Sequence, residues 1–365
     1  MGGVTGLERA YTYLNGKRPD KMPLWHDSMY LPWKLSGVSD LREYVKNPEA
    51  IARGYERYVE LFNVDITGAY LDQWALYEVL GVEVEILPHV VQPKIPKWRY
   101  RPDRGIYEKF RKIDNLDAYD PRKGRRASAL FKAWRILMEK LGDKVLFRQG
   151  IPGPAATLAL VVGTPEIMRD VMIFPDLLGE LRELLLGPVM DWTVYVSTIL
   201  VDAVDYQNFN MSFVTYDRSF LDPELRRWLV SIDLEFLKRV RDSVGWDVPI
   251  TTHVCSYDPD LDFIFEHFGH YVNEFQFYAP GSTYSLEEAV SKFGNKVPLC
   301  AGIDHLGTLY AGKREQIEEM VKLSAELGRR CKTFALGPGC GLALGTPLEN
   351  VELLAHLRDK YGSWD

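Results

Sequence analysis

The chain reads as an α/β protein built as a closed (β/α)8 TIM barrel, and three observations predict it. Eight short apolar stretches of strand character alternate with stretches of helical period, an alternation that calls for parallel strands joined by helical crossovers. The length, 365 residues, suits one such barrel. No glycine-rich phosphate-binding fingerprint follows the first strand, which disfavours an open dinucleotide-binding sheet. The expectation is a single domain over 1–365 with an N-terminal helical extension.

The elements follow in order. Leu7, Ala10, Tyr11 and Leu14 share one face of an amphipathic helix over 6–15, and Gly16 to Asp20 break it. Pro23-Leu24-Trp25 is the first strand. A helix over 48–62 precedes a strand over 64–71. The segment 87–126 is rich in Pro, Lys, Arg, Asp and Tyr, has no strong helical period, and reads as an insertion after the second strand. A helix over 127–141 leads to a strand over 144–149. Residues 164–201 hold two helices broken near Pro175, before a strand over 203–209. A long amphipathic helix over 223–244 leads to the fifth strand, which ends at Thr251-Thr252-His253-Val254-Cys255. The last three units pair helices over 260–268, 285–293 and 313–328 with strands over 271–277, 297–301 and 332–336. A helix over 347–361 closes the chain.

Composition narrows the function classes. Hydrophobic residues make up 46% of the chain, enough for a large core, and the net charge of −7 offers no basic face to nucleic acid or to an anionic membrane. No N-terminal run resembles a signal peptide, and no stretch reads as a membrane span, so a cytoplasmic protein is expected. Four cysteines are too few for a disulfide scaffold and are expected as free thiols or metal ligands.

Chemistry concentrates at the strand ends. His253 and Cys255 are two residues apart and share a face of one strand. Cys340 sits between glycines after the eighth strand. In a parallel barrel the C-terminal strand ends surround one mouth, so the three can converge. Imidazole plus two thiolates suits zinc with an open position. Glu274 and Gln276, on one face of the sixth strand, are candidates for a fourth ligand. Cys300, inside the seventh strand, and Cys331, at a helix-to-strand junction, read as structural. Trp25, His26, Tyr30, Asp72, Trp74, Tyr206, Asn208 and Tyr278 are expected around the substrate pocket. Asp205, Asp304 and His305 are candidates for a general acid or polar support.

These residues resemble the His-x-Cys…Cys zinc signature of the corrinoid-dependent methyltransferase branch of the uroporphyrinogen decarboxylase superfamily. The likeness covers nearly the whole chain. Leu14 to Pro23 is similar to the family's opening, and Gly150-Ile151-Pro152-Gly153-Pro154 to its turn after the third strand. Ala301-Gly302-Ile303-Asp304 is similar to its Gly-Asn-(Val/Ile)-Asp turn. Gly337 to Cys340 with Thr346 to Asn350 is similar to its C-terminal block.

The resemblance implies a TIM barrel, a zinc ion on His253, Cys255 and Cys340, and methyl transfer between a small methyl donor or acceptor and the cobalt of a corrinoid. The family's cobalt-ligating Asp-x-His-x-x-Gly pattern is absent here: Asp304-His305-Leu306-Gly307 has other spacing. The corrinoid is therefore expected on a separate protein that docks at the barrel mouth. The many aromatic residues near predicted strand ends lean the substrate towards a methoxylated aromatic, an O-demethylation. A methylcobamide:thiol (coenzyme M type) transfer is the alternative. The coenzyme M enzymes of the family place a glutamate about 21 residues beyond the cysteine, where this chain has Gln276 and, two positions earlier, Glu274. A metal-free decarboxylase using Asp72 is the reading from another class. The residues from Trp25 to Lys34 hold no arginine to clamp a polycarboxylate, and so count against it.

Overall fold

The computed structural model describes residues 3–26, 28–68, 74–87, 90–94, 104–150, 152–163, 167, 170, 173–174, 176–203, 209–212, 218, 223–254, 256–280 and 282–365. Cys255, Asp72, Asp205, Tyr206 and Asn208 lie outside them.

Among the described residues there are ten short strands: β1 (Trp25–His26), β2 (Ile66–Gly68), β3 (Val84–Ile86), β4 (Val91–Pro93), β5 (Leu146–Arg148), β6 (Phe209–Ser212), β7 (Ile250–Val254), β8 (Glu274–Phe277), β9 (Leu299–Ile303) and β10 (Phe334–Pro338). Eight of them are parallel. They run in chain order through a three-stranded sheet, β1-β2-β5, and a five-stranded one, β6 to β10. A parallel bridge between Leu24 and Leu336 joins β1 to β10. This is the strand order of a (β/α)8 barrel with seven of the eight neighbour relations formed. Among the described residues no ladder closes the circle between β5 and β6. The other two strands, β3 and β4, form an antiparallel hairpin after β2.

Helices cover the outside. The helix Pro48–Phe62 starts with Asn47 accepting from Ala50 N–H and with Pro48 at its first position, two devices that suit the exposed donors of a helix start. Its buried face carries Ile51, Tyr55, Tyr58 and Phe62. The helix Pro223–Val244 buries Val230, Phe236, Leu237 and Val240 at helical spacing. The N-terminal helix Gly6–Leu14 is set by a capping box between Thr5 and Glu8. It plugs the barrel floor: Ala10, Tyr13 and Leu14 pack in one buried cluster with Trp25, Ile66, Leu146, Cys300 and Ala335 from the strands.

Beneath that plug lies a buried ionic knot. Asp65 is 1% exposed. It accepts from Arg9 at 2.5 Å, from the Leu24 N–H at 2.8 Å, and from Arg358. Arg358 also donates to the Asn63 carbonyl at 2.9 Å, and Arg9 to Asp20 at 2.7 Å. One carboxylate thus ties the first helix, the first two strands and the closing helix Leu348–Tyr361 together.

Several sequence expectations need correction. Of the fourth strand, expected over 203–209, Ala203 is helical instead, 204–208 lie outside the described residues, and β6 runs from Phe209. The preceding helix Pro188–Ala203 runs past its expected end at 201. The last two strands end two residues later than expected, because ladder pairing between β9 and β10 continues to Ile303 and Pro338. The helix Pro154–Val162 was not foreseen. Pro175 lies outside the described residues, and the helix break seen here falls at Gly187, between Leu177–Leu186 and Pro188–Ala203. That stretch, Leu177–Ala203, also corrects the reading that no segment suits a membrane: by length and composition it would pass. However, 61% of its most apolar window is buried inside the protein.

Candidate functional site at the strand ends

Four consecutive strands, β7 to β10, form one wall of the barrel, and their C-terminal ends carry the described candidates. Parallel pairing sets the levels. Thr251 is opposite Glu274, His253 opposite Gln276, and Gln276 opposite Cys300. Period-two alternation points Thr251 and His253 the same way, as it does Glu274 and Gln276. Two polar layers result.

The lower layer is ionic. Arg148, from the end of β5, pairs with Glu274 at 2.8 Å, with both side chains essentially unexposed. The same guanidinium hydrogen-bonds Thr251 and lies over the Trp25 ring, 4.8 Å from its centroid. Burial pushes the Glu274 carboxyl up, against the pull of Arg148. Burial, reinforced by the nearby Glu274, also holds the Tyr13 hydroxyl well above its usual range.

The upper layer contains His253, which is buried at 9% exposure. Its Nδ1 bonds the side-chain oxygen of Gln276, and the Gln276 amide nitrogen donates to the Pro338 carbonyl. Cys340 follows two residues later, half-buried and outside any disulfide. The turn between is tight. A Cβ on Gly339 would lie 2.4 Å from the Tyr278 Cβ, so only glycine lets this loop lie against the end of β8. Tyr278 in turn donates to Asp304 at 3.0 Å and meets the His305 ring edge-on, with centroids 5.0 Å apart. Burial first, then Asp304, pushes the Tyr278 hydroxyl up to about 12. Asp304 accepts from Gly307 and Thr308 N–H at 3.0 and 2.8 Å. These bonds outweigh burial and hold its carboxyl below the usual range. Burial, with His253 adding to it, lowers the His305 imidazole to about 4 against the pull of Asp304. His305 is therefore neutral near pH 7 and can offer a hydrogen bond but not a cationic acid.

The structure separates the remaining candidates. Trp25 faces the barrel interior beneath Arg148. His26, its neighbour, points the other way and bonds Tyr58 of the helix Pro48–Phe62 at 3.0 Å. The expectation that His26 faces the pocket is corrected by that alternation. Tyr30 and Trp74 belong to the helix-side core. The Tyr30 hydroxyl accepts from Val91 N–H of the hairpin at 3.4 Å, and Trp74 lies against Tyr77 with centroids 6.4 Å apart. Among the expected pocket aromatics, the described residues place only Tyr278 at the mouth. Sequence reasoning missed Arg148. Its signal was an arginine inside the apolar strand Val145-Leu146-Phe147-Arg148, since a charge in such a run is buried only with a partner.

The donor types fit a soft metal in part. With Nδ1 of His253 engaged, Nε2 is the nitrogen that would ligate, and Cys340 would supply a thiol from just beyond β10. Among the described residues, no three His, Cys, Asp or Glu side chains stand together as a metal-holding group. The expected third donor, Cys255, lies outside them.

Polar side chains thus gather at the C-terminal strand ends, over a floor plugged by the first helix. The chain belongs to the uroporphyrinogen decarboxylase (URO-D) family, whose model matches residues 5–361. Within the range of known proteins it is similar to the methylcobamide:CoM methyltransferase MtaA of Methanosarcina barkeri (strain Fusaro / DSM 804), 23% identical over 378 residues and covering 99% of each chain. A second methylcobamide:CoM methyltransferase MtaA from Methanosarcina barkeri is 24% identical over 382 residues, again covering 99% of both. Among solved structures, a methyltransferase from Methanosarcina mazei shares the fold. Its TM-score is 0.76 at 21% identity, covering 98% of this chain and 99% of that one.

Proposed function

We propose that this chain is a zinc-dependent methyltransferase that moves a methyl group between a small substrate and the cobalt of a separate corrinoid protein docked at the barrel mouth. The observation that carries the reading is the Gln276 bridge, which joins the strand end bearing His253 to the loop bearing Cys340. With the full-length likeness to two methylcobamide:CoM methyltransferases, it supports a site of one imidazole and two thiols, His253, Cys255 and Cys340. Zinc bound there would supply Lewis acidity, holding a thiol as thiolate or polarising a methylated heteroatom. Tyr278, Asp304 and His305 line the same wall and would orient the substrate.

The thiol substrate is the reading we favour, because both relatives are named for coenzyme M. O-demethylation of a methoxylated aromatic rested on a ring of mouth aromatics, and Trp25, Tyr30 and Trp74 pack elsewhere. Incubation of the purified chain with zinc, a methylated corrinoid protein and a panel of thiols tests the proposal, with methoxyarenes, methanol and methylamines offered to the reduced corrinoid protein in the reverse direction. Thiol methylation that disappears in Cys340→Ser is expected. Absence of transfer with every donor and acceptor would overturn the reading.

A further inference from the structure

We infer that Gln276 is a positioning residue. It sets the protonation of the His253 ring and locks the His253 strand end to the Cys340 loop, and it does not itself ligate a metal. The inference rests on the proposed metal site.

Chemistry assigns the amide's orientation without reference to hydrogen positions. The Pro338 carbonyl can only accept, so the Gln276 NH2 must face it. The amide oxygen is then the atom facing His253, and an oxygen without hydrogens can only accept. His253 Nδ1 must therefore carry a proton, and in the neutral ring Nε2 is then the nitrogen with a lone pair. Both ends of the Gln276 amide are thus engaged, in a side chain with no exposed surface. It acts across β9, from β8 to β10.

The neighbouring carboxylate does not compete for the role. Glu274 is one layer lower, opposite Thr251, and is held by Arg148. A carboxylate at 276 would fit the same space and keep the bond to His253, but would set an oxygen against the Pro338 carbonyl oxygen and lose the tie to β10. This accounts for an amide at this position. A ligating imidazole whose second nitrogen is held by a fixed acceptor has its tautomer and ring angle set before the metal arrives.

The test uses the full chain. In metal-free protein labelled with 15N-histidine, the His253 signal is identified by its loss in His253→Ala. The Nδ1–H tautomer is expected in the unmutated protein, and a mixture of tautomers in Gln276→Met. An Nε2–H tautomer in the unmutated protein would overturn the inference, whether or not any variant folds.

Zinc affinity, read by competition with a chromophoric chelator, supplies the second readout. Gln276→Met should weaken zinc about 10- to 100-fold. Gln276→Glu, which keeps the bond to His253, should lose less. In a His253→Ala background, Gln276→Met should change affinity by less than about twofold, because its effect runs through the ring. An equal loss with and without His253 would make Gln276 a ligand or a general structural support, and would overturn the inference. If the unmutated chain binds no zinc, the metal reading fails separately, and the tautomer result still decides the clamp.

Discussion

Replacing Asp65 by asparagine keeps the side-chain shape and removes one charge. Oδ1 accepts from Arg9, and Oδ2 accepts from Arg358 and from Leu24 N–H. Whichever way the asparagine turns, its NH2 meets a donor, so flipping gives no relief. Two guanidiniums, 7% and 0% exposed, then lack their shared anion. Breaking a buried ion pair from one side costs about 3–5 kcal/mol. Arg9 keeps Asp20 and Arg358 keeps Asp359, both partly exposed, which places the expected loss near the lower end, about 3 kcal/mol. An unfolding entropy of about 2.1 cal/mol/K per residue makes each kcal/mol worth roughly 1.3 °C in a chain of this length, so Tm should fall by about 4 °C. Differential scanning calorimetry or circular dichroism at neutral pH measures it. A melting point within about 1 °C of the unmutated protein would show that the knot is not a major contributor to stability.

Three further outcomes follow from the same geometry. Arg148→Leu should destabilise by about 3–5 kcal/mol by leaving Glu274 buried without its cation, and Arg148→Leu with Glu274→Leu should recover much of that; urea unfolding of the single and double variants reads the difference. Gly339→Ala places a Cβ against Tyr278 and should cost about 1–3 kcal/mol while displacing the Cys340 loop, visible as lower zinc retention on dialysis. Burial holds His26 down to about 3, against an ordinary value of 6.5. Between those two values the unfolded chain binds the extra proton, so His26 contributes stability fully present above about pH 6.5 and lost as pH falls towards 3. Tm measured against pH should therefore drop more steeply on acidification in the unmutated protein than in His26→Phe, and parallel curves would refute it.

Much of this architecture is legible in local sequence. The helix over 48–62 carries its own cap and proline start, and the helix over 223–244 its own apolar stripe, so their bounds match the structure. Strand identity is equally local, but strand ends are not: β9 and β10 extend to Ile303 and Pro338 because they pair with each other. The likeness of the turns and of the His-x-Cys…Cys spacing to one family is likewise a property of the chain alone, and the family match over 5–361 agrees with it.

By itself, then, the sequence determined the alternation of strands and helices, the family, and which strand ends carry imidazole and thiol. Tertiary structure decided which polar groups meet. Periodicity places Glu274 and Gln276 on one face but is silent on level. The parallel register of β7 with β8 sets Gln276, and not Glu274, beside His253. It also sends Arg148, 126 positions away in sequence, to neutralise the carboxylate below. Register is fixed by packing of whole strands and helices, a non-local quantity that no window of residues contains. For that reason the ionic floor, the outward turn of His26 and the Gln276 bridge emerge only in the folded barrel.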